Sequence, residues 1–134
     1  MLNKIEHIGI AIKNADISVP IFSALFNQEP YKKEIVNSEH VQTIFYQNGP
    51  NKIELLESLS DESAIAKFLE KKGEGIHHIA FAVDDIVAEL ARLKSEGFQL
   101  IHEVPKLGAD NKLIAFVHPK SSNGVLIELC QEIA

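Results

Sequence analysis

The segment Lys4-Ile5-Glu6-His7-Ile8-Gly9-Ile10-Ala11-Ile12 returns later in the chain as Gly75-Ile76-His77-His78-Ile79-Ala80-Phe81-Ala82-Val83. A second segment, Asn51-Lys52-Ile53-Glu54-Leu55-Leu56, returns as Gly124-Val125-Leu126-Ile127-Glu128-Leu129. The histidines are 71 residues apart (78 − 7) and the glutamates 74 (128 − 54), so a unit of about half the chain is duplicated. Neither half is large enough to bury a sheet face by itself, and 134 residues suit one shared core. Each copy carries one histidine and one glutamate in apolar surroundings.

Periodicity gives both halves the same element order. Ile5 to Ile12 is apolar and β-branched and reads as a buried strand, while Val19, Ile21, Phe22, Leu25 and Phe26 recur at helical spacing within Asp16 to Phe26. Extended runs follow at Tyr31 to Val36, His40 to Gln47 and Lys52 to Glu57, the last two joined by the turn residues Asn48-Gly49-Pro50-Asn51. Ser60-Asp61-Glu62 is expected to cap a helix over Ala64 to Lys72, and Gly73-Glu74-Gly75 to form the seam between halves. The second half predicts a strand at Ile76 to Val83 and a helix at Ile86 to Glu96, capped by Asp84-Asp85 and stopped by Gly97. Further extended runs are expected near Phe98 to His102, Leu113 to His118 and Gly124 to Cys130. The expected fold is α+β. Two βαβββ modules, residues 1–73 and 74–134, would form one domain over 1–134, a curved mixed sheet around a cleft.

Strand parity bears on that cleft. His7, Gly9 and Ala11 share one face of the first strand, and His78, Ala80 and Ala82 share one face of its repeat. Only small residues follow each histidine, which leaves room for something other than protein. Pseudo-twofold symmetry would bring His7, Glu54, His78 and Glu128 together. Two imidazoles and two carboxylates suit one divalent ion such as Co, Ni, Mn or Zn, with positions open to water or substrate. A single strand histidine is usually a satisfied core residue, and a single glutamate an edge charge. The repeated pair reverses that expectation, because a buried carboxylate amid Ile53 and Leu55, or Ile127 and Leu129, must be paired or bound. His77 competes with His78, and the alignment with His7 favours His78.

The formal charge of −6 argues against nucleic-acid binding, which needs a basic footprint. No apolar run approaches the ~20 residues that cross a bilayer, so neither membrane nor nucleic acid is an expected partner. A cytoplasmic setting is expected, and the single Cys130 excludes an internal disulfide.

Three stretches carry a resemblance. They are the His7-Ile8-Gly9-Ile10-Ala11-Ile12 opening, Glu74-Gly75-Ile76-His77-His78-Ile79-Ala80-Phe81, and Pro105 to Ala109 followed by His118-Pro119-Lys120-Ser121-Ser122-Asn123-Gly124-Val125-Leu126-Ile127-Glu128-Leu129. Together they resemble the methylmalonyl-CoA epimerases of the vicinal-oxygen-chelate superfamily, which also holds glyoxalase I and the extradiol dioxygenases. The resemblance implies metal at His7, His78 and Glu128, with Glu54 as fourth ligand, and epimerisation of (R)- and (S)-methylmalonyl-CoA. For proton transfer, either Glu54 serves opposite Glu128, as paired glutamates do in glyoxalase-type sites, or a water or another side chain takes the second role. Some members place an acid/base glutamate in the strand matching Val41-Gln42-Thr43-Ile44, and this chain has no carboxylate there.

The expected partners are an acyl-CoA substrate and a second copy of the chain. Lys106, Lys112 and Lys120 are expected in loops around the final strands, where they could meet CoA phosphates. The loop Leu107 to Asn111 could fold over the ligand. Two other readings compete: a glyoxalase I-like lyase with the same ligands, and a non-enzymatic binding module. Glutathione's carboxylates call for forked guanidinium groups, and the chain has only Arg92. Four candidate ligands count against a module without metal.

Overall fold

Isoleucines alternate with small residues over Ile8 to Ile12, and β1 covers Leu2–Ile12 in the structure, a computed structural model that describes residues 1–133. Contacts divide the chain into two compact units, residues 8–77 and residues 1–7 with 78–134.

The unit of residues 8–77 contains α1 (Ala15–Phe26), β2 (Lys32–Val36), β3 (Val41–Asn48), β4 (Asn51–Ser58) and α2 (Ala64–Lys72). Its strands lie in the order β2-β3-β4-β1, and β2, β3 and β4 pair antiparallel. Asn14 caps α1 by accepting from the Asp16 amide at 2.9 Å, and Asn27 ends it in the left-handed region. The core under α1 joins Ile12, Ile44, Tyr46 and Leu55 to Ile10, Val19, Phe22 and Phe26. The large residues of β1 therefore serve the helix side, as parity predicts. The buried Tyr46 hydroxyl donates to the Val19 carbonyl at 3.2 Å and pairs with Ser23 Oγ at 2.8 Å. The α2 cap falls at Ser63, outside the expected Ser60-Asp61-Glu62. Ser63 Oγ accepts from the Ala66 amide at 2.9 Å and is itself fixed by Ser58 Oγ at 2.6 Å.

The unit of residues 1–7 and 78–134 adds β5 (Gly75–Val83), α3 (Ile86–Ser95), β6 (Lys106–Leu107), β7 (Lys112–Val117) and β8 (Ile127–Glu132). Its strands lie in the order β1-β5-β8-β7-β6, with β5 parallel to β8 and the pairs β8–β7 and β7–β6 antiparallel. Asp85 caps α3 through the Ala88 amide at 3.1 Å. The core joins Ile86, Leu90 and Leu93 of α3 to Val83, Ala115, Val117 and Leu129.

Two expected strands are cut back here. Over Phe98 to His102 only a single bridge, Leu100 to Val117, forms. His102 Nδ1 accepts the Phe116 amide at 3.1 Å, so a side chain stands where a ladder carbonyl would continue the pairing. The last strand starts at Ile127, because Asn123 and Gly124 are left-handed and the Gly124 amide closes a turn onto the Pro119 carbonyl at 2.7 Å.

The Leu107 to Asn111 segment, expected as a loop over the ligand, is a tight connection packed on its own strand. Asp110 and Asn111 are left-handed, and the Gly108 amide donates to the Lys112 carbonyl at 2.9 Å. A Cβ at Gly108 would stand 2.9 Å from the Ile114 side chain. Gly108→Ala should therefore lower stability by about 1–3 kcal/mol, read as a lower urea midpoint at unchanged slope. An unchanged midpoint would show that Ile114 gives way.

Candidate active site

Strand register assembles the site within residues 1–7 and 78–134. Parallel pairing with β5 sets Ala80 beside Glu128, and antiparallel pairing with β7 sets Phe116 on its other side. His78, two residues before Ala80, shares the Ala80 face, and its ring stands edge-on to Phe116 at 5.5 Å and 88°. The small Ala80 leaves the space beside Glu128 open to the imidazole. His7, at the end of its unit's part of β1, meets the His78 ring edge-on at 5.1 Å.

The polar atoms converge. His7 Nε2 and His78 Nε2 lie 3.0 Å apart, while Glu128 Oε1 lies 3.0 Å from His78 Nε2 and 3.7 Å from His7 Nε2. His7, His78 and Glu128 are each no more than 5% exposed. Burial by itself would raise the proton affinity of Glu128, but the charges of His7 and His78 and hydrogen bonds from both rings reverse it. The Glu128 carboxyl is held well below the ordinary carboxylate range and is ionised at neutral pH.

This donor set fits a divalent ion. An ion with bonds of ~2.1 Å holds donors roughly 3.0 Å apart at right angles and about 3.4 Å apart at tetrahedral angles. The observed separations of 3.0, 3.0 and 3.7 Å bracket those values, so small shifts would close the set on one ion. Borderline nitrogen and hard oxygen donors together suit Co, Ni, Mn or Zn.

The other sequence candidates are placed as follows. Glu54 belongs to residues 8–77, is 5% exposed, and stands across from Phe45 in the β3–β4 register. His77 packs edge-on against Phe68 of α2, with ring centroids 5.0 Å apart. Lys120 is exposed on the short turn Pro119–Ser122, whose start His118 Nδ1 caps by accepting the Lys120 amide at 3.1 Å. Lys106 is half-buried on β6. Lys112 is not in a loop. It opens β7, 5% exposed, with its ammonium 3.6 Å from Glu132 and 3.9 Å from Asp110. Its long stem is buried along the strand while its charge stays among acidic neighbours.

Sequence reasoning missed two residues here. Glu6 Oε1 lies 2.8 Å from His7 Nδ1, and Cys130 Sγ donates to Glu128 Oε2 at 3.1 Å. The signal for Glu6 was available: Glu6-His7 puts two adjacent polar residues in an apolar strand, and both are buried. Cys130 shared the Glu128 face by parity, but a lone cysteine gives no direction.

Residues 6–116 match the Glyoxalase/Bleomycin resistance protein/Dioxygenase superfamily. The chain is 41% identical over 131 residues to the mitochondrial methylmalonyl-CoA epimerase of Dictyostelium discoideum, covering 96% of this chain and 78% of that one. It is 37% identical over 133 residues to the ethylmalonyl-CoA/methylmalonyl-CoA epimerase of Cereibacter sphaeroides, covering 98% and 99%. Among solved structures, methylmalonyl-CoA epimerase from Mycobacterium tuberculosis superposes with a TM-score of 0.93 at 32% identity, covering 99% of this chain and 90% of that one. A methylmalonyl-CoA epimerase in complex with methylmalonyl-CoA and NH4+ superposes with a TM-score of 0.92 at 33% identity, covering 100% and 97%. The chain belongs to the methylmalonyl-CoA epimerase family of this superfamily. That membership also identifies the α+β fold as the glyoxalase one.

His78→Ala should abolish retention of a divalent ion through gel filtration, while His77→Ala should leave it unchanged, both read by elemental analysis. Equal loss in the two variants, or none in either, would misplace the site.

Proposed function

We propose that this protein interconverts (R)- and (S)-methylmalonyl-CoA in a metal-dependent reaction, and that Glu128 and Glu54 are its proton-transfer groups. The observation that carries the reading is Glu128: a buried, ionised carboxylate held 3.0 Å from His78 Nε2, in a chain 41% identical to a methylmalonyl-CoA epimerase. Inversion at a carbon next to a thioester breaks one C–H bond and leaves its electron pair shared with the carbonyl. A proton then returns on the opposite face. A divalent ion held by His7, His78 and Glu128, with Glu54 as fourth ligand, would supply Lewis-acid stabilisation of the charge developing on the thioester oxygen.

The protein's own groups divide the remaining work. Glu128 starts ionised and can accept a proton without first losing one. Its two oxygens have different neighbours: Oε1 is turned to the imidazoles and Oε2 takes the Cys130 thiol hydrogen. One oxygen can therefore stay with the ligand cluster while the other exchanges a proton. Phe116, across from Glu128 on β7, covers one side of the carboxylate, while the small Ala80 leaves the other side open. Glu54 supports the second role because it is the repeat of Glu128. The strand Val41 to Ile44 offers Thr43, but a hydroxyl is a poor base at neutral pH.

Lys106, Lys112 and Lys120 supply cations for the CoA phosphates in this reading. Lys120, as the exposed one, should contribute modestly. Lys120→Ala should raise KM roughly 2- to 5-fold, the size of an exposed charge pair, with little change in kcat. An unchanged KM would remove it from the phosphate contacts. The expected assembly is a homodimer, with a cytoplasmic setting.

Methylmalonyl-CoA should turn over with solvent deuterium entering at C2, while methylglyoxal with glutathione should give no product above a metal-free control. The reverse outcome would move the chain to the lyase reading. Glu128→Gln keeps an oxygen for the ion but cannot take a proton, so kcat should fall by ~10²- to 10⁴-fold with metal content retained. For Glu54→Gln a comparable fall is expected. Wild-type exchange from both enantiomers would leave Glu54 a ligand only.

A further inference from the structure

Glu6 is a buried carboxylate, 7% exposed, that neither the ligand set nor the proposed proton transfers use. Strand alternation starts its side chain on the face of β1 opposite His7, yet its Oε1 reaches within 2.8 Å of His7 Nδ1. A carboxylate only accepts, so the imidazole supplies the hydrogen. A ring that keeps its hydrogen on Nδ1 can donate from Nε2 to Glu128 only while protonated, and in its neutral form bares a lone pair on Nε2. That is the nitrogen 3.0 Å from His78 Nε2 and 3.7 Å from Glu128 Oε1. Glu6 also lines a cavity of about 370 Å³ together with Lys4, Lys112, Asp84 and Glu132, so charges of both signs share its surroundings.

We propose that Glu6 is a positioning residue, which holds His7 in the Nδ1–H tautomer and aims Nε2 at the ligand centre before an ion arrives. The inference rests on the ligand set His7, His78 and Glu128. Its physical content is that metal-bound imidazoles bind more tightly when the second ring nitrogen donates to a fixed acceptor, an effect of typically 10- to 100-fold in affinity. Glu6, His7 and Cys130 also lie close enough to hold an ion themselves. Hydrogen bonds already engage those atoms: Nδ1 with Glu6 and Sγ with Glu128 Oε2. The test distinguishes the two arrangements.

Two measurements decide it. In a long-range proton–nitrogen NMR spectrum of metal-free, histidine-labelled protein at neutral pH, the ring assigned by its loss in His7→Gln should be the Nδ1–H tautomer. An Nε2–H tautomer for that ring overturns the proposal, whatever the variants do. Co²⁺ affinity, read by chelator competition, should fall roughly 10- to 100-fold in Glu6→Ala. Glu6→Gln, which keeps an acceptor oxygen, should recover most of that loss. Wild-type affinity in Glu6→Ala would overturn it, as would a thiolate-to-cobalt absorption band that Cys130→Ser removes. His78→Ala is the separate control. If it binds Co²⁺ like the wild type, the ligand set itself is wrong, independently of Glu6.

Discussion

Three electron-rich atoms within 3.0 to 3.7 Å of one another, in a place closed to water, form the constraint on which the site depends. Two imidazole nitrogens and a carboxylate oxygen do not cluster for hydrophobic reasons, and burying them costs free energy unless something answers their lone pairs. Hydrogen-bonding protons can answer some. A divalent ion answers all at once and releases those protons as it binds. The strands hold the arrangement whichever is present: slipping β8 against β5 by one residue would turn Glu128 to the other face and bring Ile127 or Leu129 in its place. The core around Leu129 and Ala115 sets that register, so packing enforces the chemistry.

Side-chain size along these strands then decides what can approach. Ala80 beside Glu128 leaves a gap on one side, and Phe116 closes the other while bracing the His78 ring. A larger residue at Ala80 would fill the space that the imidazole needs. On β1 both faces beyond His7 meet core: Ala11 packs with Val41, Leu56 and Ile65, and the isoleucines at 10 and 12 pack under α1.

The element order was legible because the period is strong: β1, α1, β3, β4, α2, β5 and α3 lie within a few residues of where alternation and helical spacing put them. His78 was separable from His77 by parity, and the Phe68 contact of His77 shows what the other face does. What the sequence could not show lies in side chains that stand in for backbone. His102 ends a strand by taking the Phe116 amide on its ring nitrogen. Ser63, rather than an earlier residue, caps α2 because Ser58 fixes its hydroxyl. Lys112 reads as a loop cation in sequence, yet it starts a strand and is held among Asp110 and Glu132. The Glu6 contact was hidden for a similar reason, since alternation predicts that neighbours on a strand point apart and a long glutamate evades the rule.

The duplication runs deeper than the histidine and glutamate that announced it. Phe45 stands across from Glu54 in the β3–β4 register, and Phe116, 71 residues later (116 − 45), stands across from Glu128 in the β7–β8 register. Each glutamate of the repeat therefore has the same cross-strand neighbour, an aromatic ring that excludes water from one side of a carboxylate. The charges of two imidazoles and hydrogen bonds from them hold Glu128 ionised against its burial, and its Oε2 takes the Cys130 thiol hydrogen. Cross-strand pairing puts ring and carboxylate on one face of each strand pair, so the duplicated register carries the aromatic neighbour along with the glutamate.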